Sequence, residues 1–154
     1  MTNRFTKITQ IGMVIKDKER VLAKMEQVFG AAPSRRLFAL EDDSRVYRGK
    51  KGEFSAELIF YDFANIELEF IVPLKGPSIW QDFLDAHGEG LHHIQFAVDS
   101  FEGARADMRS AGIEMMQEGG SATKVPNLKW GYFDTEGILP FIIEISNPGE
   151  ATKS

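Results

Sequence analysis

The sequence predicts an α+β fold in which tandem βαβββ modules form a curled, incomplete barrel-like sheet around a central cleft. Three observations predict it. First, residues 8–17 (ITQIGMVIKD) and 91–99 (LHHIQFAVD) repeat one another as apolar strands, each opening on a potential metal ligand, Gln10 or His93, and closing on Asp17 or Asp99. Second, each repeat leads through a helical stretch and a variable region to another apolar strand with a carboxylate inside it, Glu69 in IELEFIV and Glu144 in FIIEIS. The two polar positions lie 59 residues apart in one half and 51 in the other. Third, a Pro/Gly-rich joint, PLKGPS at 73–78, separates the halves. A duplicated half-domain with two polar candidates per half builds one site on a pseudo-twofold axis.

The elements follow in order. Residues 7–15 are rich in β-branched and apolar types and read as a strand. Asp17 stands where a helix N-cap is expected, and Val21, Leu22, Met25, Val28 and Phe29 fall at helical spacing before Gly30 stops the helix. A strand at 35–40 precedes a polar, basic segment, EDDSRVYRGKKGE. Strands at 54–62 and 65–72 then face each other across a turn at Asp62–Asn65. IWQDFLDAHGEG is a short connecting helix ending near Gly88. The second half repeats the order: a strand at 91–98, then a helix at 101–111 capped by Ser100 or Asp99 and ended by Ala111-Gly112. A strand at 113–118, a glycine-bearing loop at 119–128, and strands at 129–134 and 140–146 joined by the turn TEG complete it, and NPGEATKS reads as a frayed tail. The chain is thus one domain, with module one at 5–74, a linker at 75–90 and module two at 91–148.

Composition narrows the functions. Hydrophobic residues at 43% and charged residues at 27% indicate a globular chain rather than a disordered one. No apolar run approaches the ~20 residues of a membrane span, and MTNRFTKITQ lacks a signal-peptide core. The absence of cysteine excludes disulfides, thiolate metal sites and a Cys nucleophile, and fits a reducing cytoplasm. A net charge of −5, with no basic stripe interleaved with aromatics, argues against nucleic acid. There is no glycine-rich phosphate loop, GxSxG elbow or Rossmann signal. The expected partner is a small molecule. Pairing of exposed strand edges makes a homodimer the expected assembly.

Side chains alternate across a strand. Gln10, Gly12 and Val14 therefore share one face, His93, Gln95 and Ala97 another, and Glu69 shares a face with Glu67. Glu144 sits between Ile143 and Ile145, where a carboxylate is costly to bury unpaired, so metal coordination explains it well. Singly, each candidate has an ordinary reading: a polar strand residue, a packed histidine, or an acidic guard on a sheet edge. Their recurrence in register across both halves is what makes them a site. His87 and His92 are assigned to structure. The cluster Arg35, Arg36, Arg45, Arg48, Lys50 and Lys51 reads as a solvated face before it reads as a phosphate site.

The run IELEFIVPLKGPSIWQDFLDAHGEGLHHIQFAVD and the closing GYFDTEGILPFIIEI resemble the vicinal oxygen chelate superfamily, which includes glyoxalase I, methylmalonyl-CoA epimerase, extradiol dioxygenases, and the fosfomycin and bleomycin resistance proteins. The resemblance spans residues 5–147 and is strongest toward epimerase-like and lactoylglutathione lyase-like members. It implies the ligand set Gln10, Glu69, His93 and Glu144, with Gln10 standing where many relatives have histidine. One imidazole, one amide and two carboxylates suit Mn²⁺, Co²⁺, Mg²⁺, Ni²⁺ or Fe²⁺ ahead of zinc. The set departs from the two-His, one-carboxylate pattern of oxygen-activating iron enzymes, which ranks a dioxygenase below redox-neutral chemistry. The implied reaction is proton abstraction beside a carbonyl on a substrate with adjacent oxygens, such as an acyl-CoA or a glutathione adduct. Glu144 is the expected base, Glu69 its pseudo-symmetric partner, and Glu53 a further candidate by loose epimerase-like correspondence. The competing expectation is a binding or resistance protein of the same fold that turns nothing over.

Overall fold

The computed structural model describes residues 4–40, 42–120 and 127–147. The centre of the expected 119–128 loop, residues 121–126, and the tail from 148 onward lie outside the described residues. Strand β1 (Phe5–Val14) leads into helix α1 (Lys18–Phe29), then β2 (Arg35–Ala39), β3 (Val46–Tyr47), β4 (Lys50–Lys51), β5 (Ser55–Asp62) and β6 (Glu67–Lys75). Helix α2 (Ile79–His87) connects to β7 (Gly90–Val98), α3 (Phe101–Ser110), β8 (Met115–Gly120), β9 (Lys129–Phe133) and β10 (Ile142–Asn147). No helix among the described residues is long and apolar enough to cross a membrane.

Helix boundaries follow local chemistry. The Asp17 carboxylate accepts the Arg20 N–H at 3.0 Å, and Gly30 closes α1 in the left-handed conformation at φ 62°. Ser78 and Ser100 cap α2 and α3 in the same way.

The ten strands of the described residues form one mixed sheet in the order β2-β5-β6-β1-β7-β10-β9-β8-β3-β4. Strands β1, β6, β5 and β2 of the first half and β7, β10, β9 and β8 of the second follow in matching order outward from the centre, where β1 and β7 pair antiparallel, and β3 and β4 of the first half extend the far edge. Each central strand then pairs parallel with the carboxylate-bearing strand of its own half, β6 or β10. Helix α1 covers one outer face through Met25, Val21 and Leu22 against Ile15, Ile59, Tyr61 and Phe70. Helix α3 covers the other through Phe101, Ala104 and Met108 against Val98, Phe133 and Ile145. Helix α2 buries Ile79 and Trp80 against Val14, Phe54, Tyr132 and Ile142. These outer layers leave the inner faces to line a cleft.

Two features differ from the sequence reading. The basic segment keeps Arg48, Lys50 and Lys51 exposed, as a solvated face requires, but it is also a strap and buries Arg45. It forms the β3–β4 hairpin, leaves the first half and pairs with β8 of the second through Val46↔Glu118 and Tyr47↔Gln117. Tyr47 donates to Asp82 at 2.8 Å and Arg48 reaches the same carboxylate at 3.0 Å, pinning the strap to α2. Arg45 is 1% exposed beneath it. Two-residue strands carry no readable period, and this partner lies some 70 residues away. The joint is also shorter than expected, because β6 continues through Pro73 to Lys75.

Glu57 locks the first half together. Its buried carboxylate meets Lys18 of α1 at 2.6 Å and takes a short contact from Arg36 of β2. Burial alone would raise its pKa, but the two cations outweigh that and hold it below the usual carboxylate range. Glu57→Gln removes the charge that both cations face. We expect a loss of about 1–3 kcal/mol, below the upper range for buried pairs because both cations keep partial access to water. Urea unfolding with an unchanged m-value measures it.

Candidate metal centre

Strand register assembles the site in two neighbouring rows across the sheet. One row runs Glu67–Gln10–Gln95–Glu144–Tyr132–Gln117 over strands β6, β1, β7, β10, β9 and β8. The next, two residues along, runs Phe60–Glu69–Gly12–His93–Ile142 over β5, β6, β1, β7 and β10. Because β1 and β7 are antiparallel, the pairs Gln10↔Gln95 and Gly12↔His93 place a local twofold between Ile11 and Ile94. That twofold exchanges Gln10 with His93, Glu69 with Glu144, and Phe60 with Tyr132.

The four residues that the sequence singled out as ligands converge. His93 Nε2 lies 3.2 Å from Gln10 Oε1, 3.4 Å from Glu69 Oε2 and 2.9 Å from Glu144 Oε2. All four side chains are buried. Glu69, His93 and Glu144 offer ligand atoms within 4.8 Å of one another, a spacing that could hold a metal ion. The buried Glu144 Oε2 takes a hydrogen bond from His93 Nε2 when the imidazole is protonated and loses it when the ring is neutral. Two buried carboxylates and one imidazole leave an excess of negative charge even when the imidazole is protonated. A divalent cation with a neutral imidazole balances it, so the donor set fits such an ion.

Surrounding groups orient these donors. Gln10 Nε2 donates to Glu67 Oε1 at 2.8 Å, which turns the amide oxygen toward His93, and Arg35 holds Glu67 at 3.1 Å. His93 Nδ1 lies 3.0 Å from His92 Nδ1. Burial, with His93's charge, pushes the His92 pKa well below its usual value against a smaller opposing effect of the Ile79 backbone. His92 therefore stays neutral, and its Nδ1 can accept a hydrogen bond from the His93 Nδ1–H, which leaves His93 Nε2 free to ligate. Gly12 supplies the space. A Cβ there would fall 1.9 Å from His93 Cε1 and 2.2 Å from its Nε2.

The electrostatics follow from burial and proximity. Burial raises the Glu69 carboxyl above its usual range, the charges of Glu144 and Glu67 add to this, and His93 opposes it. Burial by itself would depress His93, yet Glu144 and Glu69 overcome it and raise the imidazole to about 9. Tyr132 sits between the histidines and Trp80, with ring centroids 5.0 Å from His93 and 6.1 Å from Trp80. Burial, then the charges of Glu144 and Glu69, push its phenol well above the usual range, so it remains a protonated donor.

The cleft next to these donors has a volume of about 280 Å³ and is walled by Trp80, Trp130, Tyr132, Phe60, Leu58 and Arg45 among others. Glu53 is not brought here. It is exposed and lines a separate shallow depression with Asp42, Asp43 and Lys51, because the chain turns outward at Gly52 before β5 begins. His92, assigned to structure from sequence, proves to support His93 directly. Gly12 and Glu67 shared the right strand faces in the sequence, but only register reveals what they touch.

Comparison with known proteins identifies the superfamily and the fold. A sequence model of the Glyoxalase/Bleomycin resistance protein/Dioxygenase superfamily matches residues 9–128, and the chain belongs to that superfamily. No curated protein sequence matches it. Among solved structures it resembles methylmalonyl-CoA epimerase from Mycobacterium tuberculosis, with 16% identity, a TM-score of 0.70, and coverage of 98% of this chain and 93% of that one. It also resembles a Streptomyces coelicolor methylmalonyl-CoA epimerase variant in complex with 2-nitronate-propionyl-CoA, at 17% identity, TM-score 0.67, and 97% and 99% coverage of the two chains. A hypothetical protein from Bacillus halodurans C-125 is similar at 18% identity, TM-score 0.66, and 96% and 98% coverage. At these identities the likeness is one of fold.

Two outcomes are expected. Gly12→Ala drives its methyl into the imidazole and weakens divalent-cation affinity roughly 100-fold with the circular dichroism spectrum retained, as titration calorimetry will report. In the metal-free protein His93 holds a proton below about pH 9, and a cation must displace it. Affinity therefore rises as pH increases toward about 9, by up to about tenfold per pH unit, with a proton released to buffer. Calorimetry in buffers of different ionisation enthalpy counts that proton.

Proposed function

We propose that this protein is a divalent-metal-dependent lyase or isomerase that removes a proton from the carbon beside a carbonyl. One observation carries the reading: two carboxylates and an amide oxygen surround His93 Nε2 within 3.4 Å, in a buried cluster open to a cleft. Gln10, Glu69, His93 and Glu144 would hold the ion, which when bound supplies Lewis-acid polarisation of two adjacent substrate oxygens. Binding by Gln10 in place of an imidazole favours this redox-neutral chemistry over oxygen activation.

The chain's own groups account for the rest. Glu144 takes the proton, since its buried Oε2 loses the contact from His93 Nε2 once that imidazole is neutral, and a phenol stands in its neighbouring row position. Glu69, its pseudo-symmetric mate, has the apolar Phe60 in that position and serves as a fixed ligand. The aromatic wall of Trp80, Trp130 and Tyr132 excludes water, so charge that develops on the substrate is weakly screened. Solved methylmalonyl-CoA epimerases carrying methylmalonyl-CoA or 2-nitronate-propionyl-CoA make an acyl-CoA the first substrate to test, with a glutathione hemithioacetal the second.

Protein purified without chelator is expected to carry, or to take up, one Mn²⁺ or Co²⁺ per chain by elemental analysis. Loaded protein is expected to exchange the α-proton of methylmalonyl-CoA for deuterium or to consume a hemithioacetal. Glu144→Gln lowers kcat by about 10³-fold with substrate binding largely kept. Failure to bind either cation leaves the non-catalytic binding protein as the reading, and near-normal kcat in the variant removes Glu144 as base.

A further inference from the structure

Strands β1 and β7 are each interrupted by an extra residue beside the metal centre. On β1 it is Thr9, between Ile8 and Gln10, and on β7 it is His92, between Leu91 and His93. The local twofold that exchanges Gln10 with His93 exchanges these two bulges as well. A bulge next to a site re-aims a side chain. His92 uses its position to face His93 Nδ1 at 3.0 Å. Thr9 uses the equivalent position differently: its hydroxyl donates to Gln95 Oε1 at 2.9 Å. Gln95 is no member of the ligand set, so the second bulge serves a residue to which the metal reading gives no part.

Gln95 stands in the ligand row between Gln10 on β1 and Glu144 on β10, and it borders the cleft. Directly opposed residues have Cβ atoms about 5 Å apart, so its amide reaches what occupies the cleft beside those two. Thr9 takes up the oxygen of that amide. The nitrogen is accessible and has no acceptor among the described residues. With a carboxylate on the adjacent strand, the N–H end is the one that electrostatics turns toward the cleft. The Ser146 hydroxyl, next along the same face of β10, also borders the cleft without a partner among the described residues.

The twofold shows why a donor belongs on this side. It exchanges Gln95 with Gly12, Ala97 with Val14 and Ser146 with Ile71. In the first half those places are shut: the His93 ring fills the space over Gly12, and Val14 and Ile71, both 0% exposed, pack against Ile79 and Trp80 of α2. In the second half Ala97 and Ser146 are only half-buried. A molecule held at the metal centre therefore extends over β7 and β10, past Gln95. We propose that Gln95 is a substrate-binding residue whose amide N–H, aimed by Thr9, holds a third oxygen of the substrate close to the two that chelate, as the spare oxygen of a chelating carboxylate would be. The proposal rests on the reading of the site as a metal centre. Methylmalonyl-CoA carries such an oxygen, whereas a hemithioacetal uses both its hydroxyl and its carbonyl in chelation.

Malonate and acetohydroxamate are the probes, because both chelate through two oxygens but only malonate keeps others free. On Mn²⁺-loaded protein, Gln95→Met weakens malonate about tenfold by calorimetry, the effect of one lost hydrogen bond, while acetohydroxamate and Mn²⁺ affinities stay within about twofold. Thr9→Val releases the amide and weakens malonate about threefold, and Thr9→Ser, which keeps the hydroxyl, restores it. A merely structural role for either residue would lower both chelators together. Equal loss of both chelators, unchanged malonate affinity in Gln95→Met, or loaded wild-type protein that does not take malonate each overturns the proposal and leaves the metal site standing. Wild-type protein that binds no Mn²⁺ removes the metal-site reading, and this proposal with it. Where Gln95→Met does not fold, the two Thr9 variants decide by the same comparison of chelators.

Discussion

Two carboxylates buried around one imidazole, at the seam where the halves of the sheet join, constrain the rest of this structure. Such a cluster is costly in a low-dielectric interior unless its charge is balanced and its lone pairs are used. His93 moderates the repulsion between Glu69 and Glu144, and the same proximity lifts its own pKa to about 9. Much of the surrounding chain serves this cluster: Gly12 makes room for the ring, His92 faces its second nitrogen, and Glu67 turns the Gln10 amide. The helices cover the outer faces and leave the inner face free to be polar.

The local twofold is geometrically close but chemically uneven. It maps an amide onto an imidazole and a phenylalanine onto a tyrosine. The first half thus supplies an amide and a carboxylate beside a phenylalanine, while the second brings the titrating ring and a carboxylate beside a phenol. A site that bound a symmetric ligand would have no need of this difference. The unevenness has a direction, toward Glu144, and it gives the proposed proton transfer one side of the substrate on which to act.

The strap and α2 impose the second asymmetry. The first half sends β3 and β4 across to the edge of the second, where Tyr47 and Arg48 hold Asp82 of α2. This closes one end of the cleft with a buried arginine and two tryptophans. The halves are therefore joined twice, once by β1 against β7 and once by the strap. Movement of the strap would change the cleft wall while leaving the ligand rows undisturbed.

The sequence by itself determined the repeat, the order of the main elements and the four converging side chains. Apolar alternation, cap residues and a polar residue inside an apolar strand are local signals, and those signals survive folding because secondary structure is largely local. Position Glu53 shows the limit: nothing in its neighbourhood told which way the chain leaves Gly52, and the structure turns it outward. The strap was illegible for a similar reason, since its short strands gain their stability from a partner distant in sequence. Only tertiary structure decided that Gly12 lies under His93 and that Glu67 orients Gln10, because each of these is a register relation between strands that sequence spacing does not encode.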